Sequence, residues 1–147
     1  MRKARNNRQG GFSIIELMLV ILIMSIIVLI GLPAYLDYRT RAAVSDMIVA
    51  VAGIKNNVAE FYILNNDWPD NMNEAGMTGV PTDYANKGVQ SIDVNAGGVI
   101  VITSNVASLE GDTIEFQPTF QDNRVSWDCT GGTLDSRFRP PSCRTTP

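Results

Sequence analysis

Phe12-Ser13-Ile14-Ile15-Glu16-Leu17-Met18-Leu19-Val20-Ile21-Leu22-Ile23-Met24-Ser25-Ile26-Ile27-Val28-Leu29-Ile30-Gly31-Leu32 is an apolar run with one carboxylate, Glu16, near its start. The run satisfies the roughly 20 apolar residues that cross a bilayer as a helix at about 1.5 Å each. An ionisable group inside such a segment costs roughly 2.5–3.5 kcal/mol on insertion scales and marks a functional position. A cut between Gly11 and Phe12 would create a new α-amine one helical turn from Glu16. That cation could neutralise the acid within one chain or on a neighbouring chain, and the residues alone leave both pairings open.

Upstream, Met1 to Gly11 carries Arg2, Lys3, Arg5 and Arg8 and no acid. Positive charge on this flank predicts that it stays cytoplasmic while the C-terminal part is exported. The whole chain has net charge −3; without those four cations, 8 basic residues face 15 acidic ones and the charge becomes −7. An acidic product has no general attraction to nucleic acid or anionic lipid. An ordinary signal peptide would have a shorter apolar core followed by a small-residue cleavage site. Here glycine precedes the run, and its far end reads Ile30-Gly31-Leu32-Pro33-Ala34, so a cut before the run fits better. Gly31 and Pro33 predict a bend or local melting of the helix, either a plain kink or a weak point that lets it stretch.

These residues carry a resemblance. The basic leader, Gly11, Phe12, Glu16 and an apolar stretch ending in Pro33-Ala34-Tyr35 closely resemble a type IV prepilin. Asn65-Asn66-Asp67-Trp68-Pro69 looks like the segment after the pilin helix. Val125-Ser126-Trp127-Asp128-Cys129-Thr130-Gly131-Gly132 and Arg139-Pro140-Pro141-Ser142-Cys143-Arg144 resemble the disulfide-bounded C-terminus of major type IVa pilins. Ser25 departs from the glycine that many members carry, which touches only local helix packing.

The resemblance implies an α+β fold: a long N-terminal helix packed on a four-stranded antiparallel sheet, with a C-terminal disulfide-bounded loop. It implies a leader at 1–11 cleaved at Gly11/Phe12, N-methylation of Phe12, and Glu16 acting in assembly. It also implies a subunit that waits in the inner membrane of a Gram-negative bacterium and then polymerises into a helical surface filament. Its partners would be further copies of itself, a prepilin peptidase and methylase, and an assembly platform. Adhesion, twitching motility and DNA uptake are the roles such filaments serve. A minor or DNA-binding pilin and a type II secretion pseudopilin are the alternatives.

Beyond the membrane-grade half at 12–36, helical periodicity continues over 37–64. Val44, Ile48, Val51, Ile54, Val58, Phe61 and Tyr62 form one apolar stripe, suited to covering a sheet. Helix breakers over 65–69 end the element, and 65–88, rich in Asn, Asp, Gly and Pro, reads as a surface loop. From 89 to 147 the period changes to two. The candidate strands are 89–94, 99–104, 113–119 and 124–129, with one apolar and one polar face.

The two cysteines, Cys129 and Cys143, fall in the exported part, where thiols pair as a disulfide; a free pair or half a metal site is the alternative. The absence of histidine removes the commonest transition-metal ligand and any Ser-His-Asp triad, so neither a metal, a cofactor nor an enzyme is expected. Arg137, Arg139 and Arg144 cluster beside Phe138. Such a set either lies solvated and paired with neighbours or grips nucleic acid, which keeps DNA only as a weak candidate partner.

Overall fold

The computed structural model describes residues 11–144, so the basic leader lies outside the described residues except for Gly11. The elements are α1 (Ile14–Ala50), α2 (Ala52–Asn65), a 3-10 turn at Pro81–Tyr84, β1 (Val89–Asn95), β2 (Val99–Ser104), β3 (Thr113–Gln121), β4 (Arg124–Gly131), and two further 3-10 turns at Ser136–Phe138 and Pro141–Cys143. The chain divides into two compact units between Leu36 and Asp37.

In the first unit the Ser13 carbonyl accepts the first helical bond, from the Leu17 N–H at 3.2 Å. That makes Glu16 the third helical residue, in the first turn, where the positive end of the helix dipole favours a carboxylate. Ser25 donates its hydroxyl to the Ile21 carbonyl at 2.7 Å, which satisfies a polar group on an otherwise apolar rod. The helix stays helical through Gly31 and Pro33. Proline removes its own amide donor and crowds the carbonyl four residues back, yet neither interrupts this single chain, so of the bend or local melting expected there, local melting is not present. Between α1 and α2, Val51 keeps right-handed angles, with φ of −77° and ψ of −12°. The Lys55 amide still reaches the Val51 carbonyl at 2.9 Å.

In the second unit Thr40, Val44, Met47, Val51, Ile54 and Val58 are buried. Their steps of four, three, four, three and four residues place them on one helix face. Ile48 is half-buried, so the true stripe runs through Met47 and ends in Thr40, whose hydroxyl meets the Ser108 hydroxyl at 3.2 Å. The four strands form an antiparallel meander in the order β1-β2-β3-β4. Register aligns Ile92, Ile102 and Ile114 in one cross-strand row and Val94, Ile100 and Phe116 in the next. Both rows are buried in the same hydrophobic core as the helix stripe. The expected α+β fold is therefore present, with strands extended by at most two residues at their ends. Pairing of β2 with β3 stops at Phe116, so Pro118 lies where β3 is flanked by β4 alone and its missing donor is tolerated. The two-residue β3–β4 turn uses Asp122 and Asn123, both with left-handed φ (52° and 59°), as a tight hairpin demands.

The segment expected to be a surface loop is more than that. Pro69, Met72, Ala75 and Met77 are buried, and the three non-proline residues join the core. Local turns absorb the backbone polar groups, with the Met77 amide bonded to the Met72 carbonyl at 2.9 Å and Gly76 to Asn73 at 3.0 Å. With its polar groups satisfied locally, the segment can turn its apolar side chains inward.

Candidate functional site

Two places concentrate chemistry that ordinary packing does not require. The first is the start of α1. Gly11 is exposed and no atom lies within 4 Å of where a Cβ would sit. Phe12 is 86% exposed, and every large apolar residue from Phe12 to Leu32 is at least 47% exposed. Glu16 lies in this surface one turn beyond Phe12, and among the described residues it forms no ion pair. The helix is long and apolar enough to cross a membrane. A continuous apolar surface of this size requires lipid or protein around it.

The second place is the C-terminal loop, closed by the Cys129–Cys143 disulfide. Arg139, at its centre, is only 4% exposed. Its Nε donates to the Leu134 carbonyl at 2.8 Å. Its Nη1 donates to the carbonyls of Cys129 (3.1 Å), Thr130 (2.7 Å) and Gly131 (2.7 Å), and its Nη2 to Gly132 (3.1 Å). Five carbonyl dipoles thus replace a carboxylate as the partner of a buried charge. Gly132 has φ of +93°, and a Cβ there would collide with the Thr113 backbone carbonyl, so the cage presses directly against β3.

The three arginines therefore do not form one patch. Arg137 pairs with Asp135 at 3.3 Å on the surface and lies 4.4 Å over the Phe138 ring. Arg144 donates Nε to the Arg139 carbonyl at 2.8 Å. With Arg139 held by backbone carbonyls, the three arginines pair with neighbours, and the basic grip kept as a weak nucleic-acid candidate loses its central member. Reading a run of like charges treats its members alike, and nothing in the local sequence separates the inward arginine from the outward one.

Nothing in the local sequence marks Lys55 either. Its ammonium lies 4.0 Å over the buried Phe116 ring and 5.6 Å from that of Trp127. Burial of the ammonium pushes its pKa below the ordinary value, by desolvation of the charged form. Among the described residues no three His, Cys, Asp or Glu side chains gather as a metal site would need.

The apolar rod and the disulfide-closed sheet find their match in known proteins. Residues 40–144 match the family described as pilin (bacterial filament), and residues 6–32 match the prokaryotic N-terminal methylation motif. The chain belongs to the pilin family. A fimbrial protein of Neisseria meningitidis serogroup A is 39% identical over 84% of this chain and 74% of its own length. The type IV major pilin protein PilE1 of Neisseria gonorrhoeae is 32% identical over 95% and 96%. The fimbrial protein EcpC of Eikenella corrodens is 36% identical over 92% and 91%. This pilin is a structural subunit of a type IV pilus. Gly11, Phe12 and Glu16 all lie inside the matched N-terminal motif, and Arg139 and both cysteines inside the pilin match.

Proposed function

We propose that this pilin is made as a precursor, cut between Gly11 and Phe12, methylated on the new Phe12 amine and polymerised through its apolar helix as the main subunit of the filament. The observation that carries the reading is the exposed apolar surface of Phe12–Leu32 with one carboxylate in its first turn. Cleavage would place a cation beside that carboxylate. In an apolar interior each group is costly alone, and removing one partner of such a pair typically costs about 3–5 kcal/mol. Glu16 of an incoming subunit would then seek the amine of a neighbour, which gives the packing a polar register mark. Apolar contacts themselves add little, because lipid and protein are equally apolar. Gly31 and Pro33 would supply the weak point at which the helix stretches as subunits pack.

The domain limits follow this use: leader 1–11, assembly half 12–36, amphipathic half 37–64, connecting loop 65–88, and sheet with disulfide loop 89–147. The precursor would sit in the inner membrane and the filament outside the cell. A prepilin peptidase and methylase would process it, and an assembly platform would extrude it. Adhesion and twitching are the roles proposed, on the strength of relatives named major pilins and fimbrial proteins. We read no catalytic function in it. Full-length similarity to pilins, disulfide loop included, favours a pilus subunit over a secretion pseudopilin.

Glu16→Gln tests the proposal. The variant should insert in the membrane at wild-type level and form no filaments, seen by shearing and electron microscopy. Filaments in normal number would overturn the role of Glu16.

A further inference from the structure

We propose that Arg139 assembles the C-terminal loop before its disulfide closes, delivering Cys143 to Cys129 so that oxidation locks a fold already formed. The five carbonyls that hold its guanidinium lie at the end of β4 and in the turn after it. That platform is fixed to β3 without help from sulfur. The Leu134 amide bonds the Thr113 carbonyl at 3.0 Å, and the Thr113 amide bonds the Thr133 hydroxyl at 2.9 Å.

The stretch from Arg139 to Cys143 is equally constrained. Pro140 and Pro141 have fixed φ. The Cys143 amide bonds the Pro140 carbonyl at 2.9 Å, and Arg144 Nε closes back on the Arg139 carbonyl at 2.8 Å. Once Arg139 is seated, the loop still to be closed shrinks from the 15 residues of 129–143 to the five of 139–143. A loop three times shorter closes roughly fivefold more readily on chain entropy alone. The stiff turn raises that further.

The chemical step is thiol–disulfide exchange with glutathione disulfide. The Cys129 and Cys143 sulfurs lose two electrons in forming one S–S bond, the glutathione S–S bond breaks, and two glutathione thiols carry away the electrons and the two protons.

The test is the dithiol–disulfide equilibrium of the full chain in detergent micelles against reduced and oxidised glutathione, read by alkylation and mass spectrometry. Arg139→Gln and Arg139→Lys should both lower the effective concentration of the two thiols by about tenfold. Lysine keeps the charge but not the planar fork that reaches five carbonyls. Arg137→Gln, which removes only a surface pair, should leave it unchanged. Equal values for wild type and both Arg139 variants would overturn the proposal. A second arm stands even if the Arg139 variants misfold. In Cys129→Ala/Cys143→Ala, the Leu134 amide and the Arg139 Nε–H should remain slow to exchange with solvent. Exchange at unfolded-chain rates in that double variant would show that the disulfide comes first.

Discussion

Arg139 and Glu16 are both charges placed where charge is costly, and they are stabilised in different ways. Arg139 is completed inside its own chain by five carbonyls, whereas Glu16 finds no cation among the described residues. The first arrangement holds a loop in shape; the second leaves the acid open to the cation that the proposed cleavage would create. Lys55 is a third case, a cation partly desolvated over aromatic rings. Its folded pKa lies below the ordinary 10.5. The unfolded chain therefore keeps this proton to higher pH than the folded one, and stability rises with pH between the folded pKa and 10.5. Below that window both states are protonated and the penalty is constant. Lys55→Met should flatten the alkaline side of the stability profile in thermal melts of the full chain; an unchanged alkaline slope would contradict this. Asp128 gives the same direction of pH dependence in the acid range, but as a stabilising contribution rather than a penalty. The Thr130 hydroxyl and then its amide hold the Asp128 carboxylate below its ordinary 3.8. Its contribution is present above that value and is lost as the pH falls through the lowered pKa.

Among the elements, the connecting segment after α2 departs most from expectation. Met72 is 3% exposed and part of the core, so Met72→Ala should destabilise the protein by about 2–5 kcal/mol. A solvated loop would instead lose within about 0.5 kcal/mol; denaturant unfolding of the second unit's signal separates the two. The strands were legible because Ile114 and Phe116 alternate with Glu115 and Gln117, and a half-buried sheet must repeat at two. The helix stripe was legible in the same way at its spacing of three and four. The core part of 65–88 was not, because Pro69, Met72, Ala75 and Met77 stand among Asn, Asp, Gly and Glu with no period for a pattern to reveal. Turns, unlike strands and helices, place inward side chains irregularly. Glu16 stands out in the sequence as an isolated acid in an apolar run, and with Gly11 and Phe12 it lies inside the matched N-terminal motif. Arg139 was hidden because burial of a charge by carbonyls depends on backbone geometry that only the folded loop creates.

At the scale of the molecule, the apolar residues from Phe12 to Leu32 and a stable core in the second unit serve different ends. The core satisfies itself through the helix stripe, the sheet rows and the disulfide loop. The apolar helix surface does not, and it is compatible with water only while lipid or other subunits cover it. Processing would change the charge of the chain from −3 to −7 by removing four cations and would supply the amine that Glu16 needs. Where the chain in the filament begins therefore decides whether the proposed processing occurs. Intact-mass and N-terminal analysis of protein sheared from cells measures this directly. The major species should start at N-methylated Phe12, with two hydrogens missing for the Cys129–Cys143 bond. A chain still starting at Met1, or one cut beyond Ala34, would contradict it.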